Sequence, residues 1–387
     1  MVSKFRRKLA PLFTKLGGLK PVLLVLVLVV LLIFSAPKLG GLFDKIITVP
    51  RFITSLIFNK EIELKKEEDK GIVNILLLGI AGGTHDGATL TDTIMLAHIN
   101  PSTNKVVLVS IPRDLWLPLL DSKINAAYEF GEEKKKGGGL ILAKATVSEI
   151  LNQPVNYAFR IDFSGFVQIV DQLGGLDIDI ERAFDDYNYP IPEKEKDLCG
   201  KTEEELKAFE ATTAASPTLV PLLKDVFPCR VEHLHFDKGL THMDGEMTLK
   251  YVRSRQAEDV EGTDFARSRR QQKVLVALRD KVLSIGVLLN PFKLIQLSQT
   301  LGKSIDTDIQ SPEYDDFVKL GQKMQGAKVK TAVLDQGDDQ QNRPGLLINP
   351  PVSLYGAWVL APRTGGLNEI QEYVACELSE EDCVIDR

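Results

Sequence analysis

The stretch YVRSRQAEDVEGTDFARSRRQQKV, residues 251–274, places five arginines between positions 253 and 270. The chain around them is acidic, with 53 Asp and Glu against 47 Lys and Arg and a formal charge of −6. The cluster is therefore a local feature and not a by-product of basic composition. Clustered guanidinium groups repel one another and are costly to bury without partners. Their planar forks match phosphate oxygens two at a time. Taken together, Arg253, Arg255, Arg267 and Arg270, split by the glycine-containing loop QAEDVEGTD, point to a di- or polyphosphate ligand. For Arg267 alone the competing expectation is an ion pair with a buried acid such as Asp177 or Asp179.

Helical spacing strengthens the first expectation. Positions 267, 271, 274 and 278 fall on one stripe, so a helix over 264–283, capped by Thr263 or Asp264, turns Arg267 and Gln271 inward with Val274, Leu275, Leu278 and Val282. Arg270 lies close to that stripe, while Arg269 joins Lys273 and Asp280 on the solvated side. An inward arginine near a helix N-terminus forms an anion site with the backbone N–H groups and the dipole.

Three further places carry chemistry. In LTDTIML, Asp92 stands immediately before a buried strand, where it caps or holds a metal bridging phosphates; magnesium takes one or two carboxylates plus phosphate oxygens and waters. In SIPRD, 110–114, Arg113 and Asp114 emerge at a strand end, where α/β sheets commonly bind ligands. Lys123 and Asn125 follow in SKINAAY and offer a cation and an amide. His233 and His235 alternate without a third ligand at a suggestive spacing and read as surface or loop residues.

The elements that must position these groups are short and rich in Val, Ile and Leu. NILLLGI, TIMLAHI and KVVLVSI read as buried strands, the last two joined by NPSTN. GGLILAKATVSEILN reads as a helix, YAFRIDF as a strand, SGFVQIVDQLGG as a helix closed by glycines, and LDIDI as another strand. Alternating strands and helices predict an α/β class, a layered α-β-α domain with a central mixed β-sheet flanked by helices. The region 184–236 reads as an insertion of unreadable role.

The N-terminus is basic, then greasy: residues 1–20 carry six Lys and Arg and no acid, and PVLLVLVLVVLLIFSA follows at 21–36. With its flanks this run approaches the ~20 residues that span a bilayer. A cleaved signal peptide needs small residues before the cut, and Phe34 and Pro37 spoil that site. We expect a single-pass protein of the bacterial cytoplasmic membrane, N-terminus inside and the remainder extracytoplasmic. The expected organisation is a cytoplasmic tail at 1–20, a transmembrane helix at 21–37, a juxtamembrane linker at 38–70, a catalytic domain at 71–285 and its C-terminal extension at 286–387. Four cysteines fit an oxidising exterior, with Cys199–Cys229 and Cys376–Cys383 the favoured pairings and four buried thiols the alternative. Outside the membrane there is no nucleotide pool, so a phosphate site must meet a preactivated substrate. Nucleic-acid binding is disfavoured by compartment and by charge.

In order, NILLLGI, LTDTIML, NPSTNKVVLVSIPRD, KINAAYEFG, IDFSGFVQIVDQLGGLDIDI, LTHMDGEMTLKYVRSR and DFARSRRQQKV resemble the LytR-CpsA-Psr family of bacterial envelope proteins across 74–283. The resemblance implies a membrane-anchored phosphotransferase that moves a glycopolymer, teichoic acid or capsule, from an undecaprenyl-pyrophosphate carrier to peptidoglycan. It implies that Arg113, Arg253, Arg255, Arg267 and Gln271 contact the pyrophosphate, and the reading of the residues adds Lys123 and Arg270 to that set. Asp92 would bind magnesium, or manganese, and act in catalysis with Arg113 and Arg255, with Asp86 as a further candidate ligand. Two departures stand out. Leu90 replaces the family's usual arginine, and GIAGGTHDG replaces a loop that usually offers an aspartate. A prenyl-pyrophosphate hydrolase and a non-catalytic lipid-diphosphate-binding or regulatory protein are the alternatives.

Overall fold

Apolar runs without period-2 alternation belong to strands covered on both faces, and VNILLLGI behaves in that way. In the computed structural model it forms β1 (Val73–Ile80), which sends Leu76 and Leu78 into one core and Ile75 and Leu77 toward the opposite face of the sheet. The structure describes residues 62–66, 71–83, 87–191, 194, 196–215, 223–257, 259–284, 301–338, 343–379 and 383, all within one compact unit, Lys60–Arg387. The expected cytoplasmic tail, transmembrane helix, most of the linker, and Asp86 with its neighbour His85 lie outside the described residues. Among the described residues no helix is long and apolar enough to cross a membrane.

Along the chain, β2 (Thr91–Asn100) and β3 (Lys105–Ser110) form a hairpin. The Asn100 side chain accepts the N–H groups of Ser102 and Thr103 at its turn. Two helices follow, α1 (Ala127–Lys134) and α2 (Gly139–Leu151), then β4 (Tyr157–Asp162) and α3 (Phe163–Gln172), whose first turn is capped by Asp162 accepting Gly165 N–H at 2.8 Å. Four strands make two side ribbons: β5 (Leu176–Ile180), β6 (Phe184–Pro190), β7 (Val231–Phe236) and β8 (Gly239–Met243), with β5 paired to β8 and β6 to β7. Helices α4 (Gly245–Arg253) and α5 (Asp264–Ser284) come next. β9 (Ile305–Thr307), α6 (Tyr314–Lys323), β10 (Lys328–Val333) and α7 (Asn368–Ser379) are the main elements after them.

The central sheet has the order β9-β4-β1-β2-β3-β10 and is mixed: β1 and β2, β2 and β3, and β4 and β9 run antiparallel, β1 and β4, and β3 and β10, parallel. Helices cover both faces. Leu140, Val147 and Ile150 of α2 and Ile370 and Val374 of α7 pack with Leu76, Leu96 and Val109 on one face. Leu275 of α5 packs with Met95, Ala97 and Leu108 on the other. The expected α/β class with a mixed, helix-flanked sheet is what forms, and both its edge strands come from beyond residue 285. A second core gathers α3, α4 and the side ribbons around Ile178, Phe184, Phe236 and Tyr251.

Two differences concern position. The strand LDIDI, expected as part of the layered sheet, is instead in a ribbon of its own with β8. Leu64, inside the expected linker, is already buried, packed with Val73, Leu320 and Met324, and Lys65 N–H donates to the Tyr157 hydroxyl at 2.7 Å. The segment 184–236 is tied at its two ends by the β6–β7 pair, with Phe184 opposite Phe236, and is closed further out by the Cys199–Cys229 disulfide. Cys376–Cys383 is the second bridge, so both favoured pairings are present.

Helix α4 starts where it does because Asp244 caps it, accepting Met247 N–H at 2.8 Å, and because Gly245 lets it touch α3. A Cβ at 245 would sit 2.4 Å from the Val167 carbonyl oxygen. Gly245→Ala must push α4 off α3, and overpacking of this kind costs about 1–3 kcal/mol; a lowered urea midpoint at unchanged slope is the expected result.

Candidate active site

The site opens where β2 is bulged. Gly79 pairs with Thr93 and Ile80 with Thr91, which leaves Asp92 as the extra residue between them. A bulge re-aims a side chain without ending the strand, and here it turns a carboxylate out of the ladder. The backbones approach closely at this point: a Cβ on Gly79 would lie 3.1 Å from the Thr93 Cβ.

Across the sheet end, β3 ends at Ser110 and the chain continues through Ile111, whose N–H donates to Ile94 O, to Pro112. Arg113 then bonds the Asp92 carboxylate through Nη1 and Asp114 through Nε. Asp114 is buried and takes a second cation, Lys123 Nζ, at 2.6 Å. The four groups form a line of alternating charge, Asp92, Arg113, Asp114, Lys123. Arg113 reaches the cleft, whereas Lys123 stands one step behind it.

The arginine-rich turn after α4 is held by a residue from β6. Asp186, 1% exposed, accepts Ser254 Oγ–H at 2.6 Å and the N–H groups of Arg255 and Gln256 at 3.3 Å through Oδ2, and Asn188 N–H through Oδ1. Arg253, at the C-terminal end of α4, lies over the Phe163 ring at 4.4 Å and beside Tyr189 at 5.7 Å. Such stacking orients a guanidinium plane. Burial pushes the Tyr189 phenol above its usual value, against the opposing pull of Arg253, so Tyr189 stays a hydroxyl.

Helix α5 closes the cleft. Thr263 caps it, its Oγ1 accepting Ala266 N–H at 3.1 Å. Arg267, 7% exposed, and Gln271 point into the same space as Asp92, Arg113, Arg253, Arg255, Asp186 and Tyr189, a cleft of about 500 Å³. A cation in the first turn of a helix stands against the dipole, and an anion in the cleft would lie at that positive helix end beside Arg267. Asp177 and Asp179 are exposed and lie along another cleft with Arg269 and Lys273, so the expected alternative, a buried acid for Arg267, is not met by either.

Arg270 is placed differently from expectation. It is buried, its Nε–H donates to Tyr251 O at 3.0 Å, Nη1 to Glu261 O at 2.9 Å and to Glu261 Oε2 at 3.0 Å, and Nη2 to Ser254 O, with Phe184 stacked at 4.9 Å. It does not line the cleft. Its donors fix the chain between α4 and α5, and the physical reason is that α5 has a second buried face, toward the ribbons. Gln272 was likewise unforeseen: buried, it donates to Ser110 Oγ at 2.9 Å and Ala332 O at 3.1 Å, riveting α5 to the sheet end.

The structure thus brings together Asp92, Arg113, Arg253, Arg255, Arg267 and Gln271, and adds Asp186, Asn188, Tyr189 and Phe163. The first three additions lie in the segment read as an insertion, where FDDYNYP forms a strand only through its pairing with residues 231–236. His233 and His235 are exposed as expected, though on β7, and share Asp185 Oδ1 at 2.7 and 2.8 Å. Along α5, one turn beyond Gln271, Leu275 begins an apolar groove of about 380 Å³ between helix and sheet, lined also by Leu77, Leu108, Leu278, Val282 and Phe317.

For a divalent ion the donor set is small. Among the described residues the cleft offers the Asp92 carboxylate, since Asp186 is committed to four backbone and hydroxyl donors. One carboxylate suits magnesium or manganese only together with phosphate oxygens and waters.

A profile of the LytR_cpsA_psr family matches residues 54–346. The chain is 28% identical over 265 residues to the polyisoprenyl-teichoic acid–peptidoglycan teichoic acid transferase TagU of Bacillus cereus, covering 67% of each chain. It is 29% identical over 254 residues to TagU of Oceanobacillus iheyensis, covering 65% of this chain and 62% of that one, under two thirds of its length. Among solved structures, TagV of Bacillus subtilis matches with a TM-score of 0.50 at 21% identity over 81% of this chain and 100% of that one. TagT bound to LI-WTA matches with a TM-score of 0.50 at 21% identity, over 83% and 96%. With three quarters of its length matched by the family profile, the chain belongs to the LytR_cpsA_psr family.

Proposed function

We propose that this protein is a phosphotransferase that moves a glycopolymer from a polyprenyl-pyrophosphate carrier to a hydroxyl of peptidoglycan, on the outer side of the bacterial cytoplasmic membrane, to which residues 21–37 anchor it. The observation that carries this reading is the cleft itself: Arg113, Arg253, Arg255 and Arg267 converge on one space beside a single re-aimed carboxylate. The names of the curated relatives, teichoic acid transferases to peptidoglycan, supply the substrate class.

In the reaction, an acceptor hydroxyl oxygen forms a bond to the phosphorus that bears the glycan, and the bond from that phosphorus to the bridging oxygen breaks. The hydroxyl proton is lost to Asp92 or to solvent, and prenyl phosphate leaves with the bridging oxygen. Arg253, oriented by Phe163 and Tyr189, and Arg255, oriented by its backbone bond to Asp186, hold the diphosphate. Arg113 and Arg267 neutralise charge on the leaving oxygen. Tyr189 donates to a nonbridging oxygen. A magnesium or manganese ion at Asp92, when bound, supplies further charge neutralisation at the diphosphate. The prenyl chain lies in the apolar groove that starts at Leu275.

The full chain in detergent, given a prenyl-pyrophosphate glycan and cell-wall glycan fragments, tests this by mass spectrometry. The expected product is a phosphodiester conjugate, and loss of one such charge-stabilising group, in Arg255→Ala or Asp92→Ala, should lower the rate by about 10²–10³. Chelation of divalent ions should lower turnover more than donor binding. Glycan monophosphate without conjugate would replace transfer by hydrolysis, and binding without product would make the protein a lipid-diphosphate binder. For the groove, Val282→Asp should weaken a long-chain donor about tenfold, the equivalent of ~1.4 kcal/mol, and leave a short-chain analogue unaffected; equal losses would remove the tail from the groove.

A further inference from the structure

Beyond Arg113 the chain leaves the cleft directly into an aromatic surface. Trp116 pairs with Lys123 across a short antiparallel turn, and residues opposite one another in such a pair share a face. Trp116 therefore shares a face with Lys123, which together with Arg113 contacts the Asp114 carboxylate. A second strand locks on: Leu360 N–H donates to Asp114 O at 2.9 Å and Trp116 N–H to Leu360 O at 2.8 Å, and the Tyr355 ring meets Trp116 edge-on at 5.2 Å.

The segment that supplies this strand is unusual. Residues 344–362, PGLLINPPVSLYGAWVLAP, contain no charged side chain, yet Leu354 is 71%, Val352 51% and Trp358 44% exposed. Exposed apolar clusters of this kind mark contact surfaces.

We propose that this surface binds the acceptor glycan strand, whose neutral pyranose rings stack their C–H faces on Trp116, Tyr355 and Trp358 and present a hydroxyl to the cleft. This rests on the transferase reading above and names the acceptor's site within it. Location selects the acceptor over the carrier lipid. The aromatic surface lies past the end of β3, the end shared with Ile80. It also flanks the site from the α2 face of the sheet, with Leu115 and Leu360 in that core, while the apolar groove runs along the α5 face. Acceptor and departing prenyl phosphate would then stand on opposite sides of the reacting phosphorus, as an in-line displacement requires.

The chain has two tryptophans, Trp116 and Trp358, so intrinsic fluorescence of the full chain in detergent reads this surface alone. Titration with soluble, donor-free peptidoglycan glycan fragments should give a saturable emission change that is weakened at least tenfold in Trp358→Ala and largely restored in Trp358→Phe, with Trp116 as the reporter. In the transfer assay Trp358→Ala should raise the acceptor KM about tenfold at unchanged donor affinity. No emission change with glycan, a change with phosphatidylglycerol vesicles only, or an unmoved acceptor KM would overturn the proposal. Glycan binding without conjugate formation would instead overturn the transferase reading and leave this surface standing as a glycan site.

Discussion

A carboxylate at the second position past Phe184 decides where the arginines stand. Asp186 accepts one hydroxyl and two backbone N–H groups from the turn 254–256, and a third N–H from its own strand. From the other side of the same turn, Arg270 donates to the carbonyls of Tyr251, Ser254 and Glu261. Both ions are buried, and a buried ion is tolerable only when its hydrogen-bonding capacity is met. The turn therefore has its donors spoken for by Asp186 and its acceptors by Arg270, and few backbone arrangements satisfy both. Arg253 and Arg255 project from that fixed turn, so their separation is set before any ligand arrives, which is the condition for electrostatic preorganisation.

That arrangement runs against stability. Four arginines face one cleft, Arg267 among them at the positive end of α5, and like-charge repulsion and the helix dipole both work against this, offset in part by the Asp92 carboxylate that Arg113 bonds. The fold compensates nearby with neutral rivets: Gln272 to Ser110 and Ala332, Thr263 at the cap of α5, and the close contact of Gly245 with α3. Departures from local preference are expected where a site is built, and here they sit within a few residues of the arginines.

Much of this was legible in the sequence, and the rest was hidden for identifiable reasons. The strands around Leu76, Leu96 and Val107 and the helix carrying Arg267 and Gln271 follow from apolar runs and from 3.6-residue spacing, both local properties. Arg270 was not separable from Arg267, because a helix packed between the sheet and the side ribbons has two buried faces, and spacing does not say which one borders the cleft. Asp186 and Tyr189 lay in a segment whose strand character depends on pairing with Val231–Phe236, beyond a disulfide-closed excursion. The bulge at Asp92 is a register property of two strands, invisible in either alone.

The length of α5 makes sense on the same terms. Twenty-one residues rise about 32 Å, more than an anion site needs. Its first two turns carry Arg267 and Gln271 to the cleft, Gln272 pins the helix to the sheet end, and from Leu275 onward the same side of the helix is apolar and lines the groove. One rigid element thus changes from cationic to greasy along its axis, in the order in which a prenyl diphosphate changes from anionic to greasy along its own. A ligand that matched only the cleft would leave the groove's apolar surface exposed to water, and one that matched only the groove would leave the cationic cleft unfilled. On the proposed function, the donor's prenyl diphosphate would match both, where a free diphosphate or a simple lipid would match one.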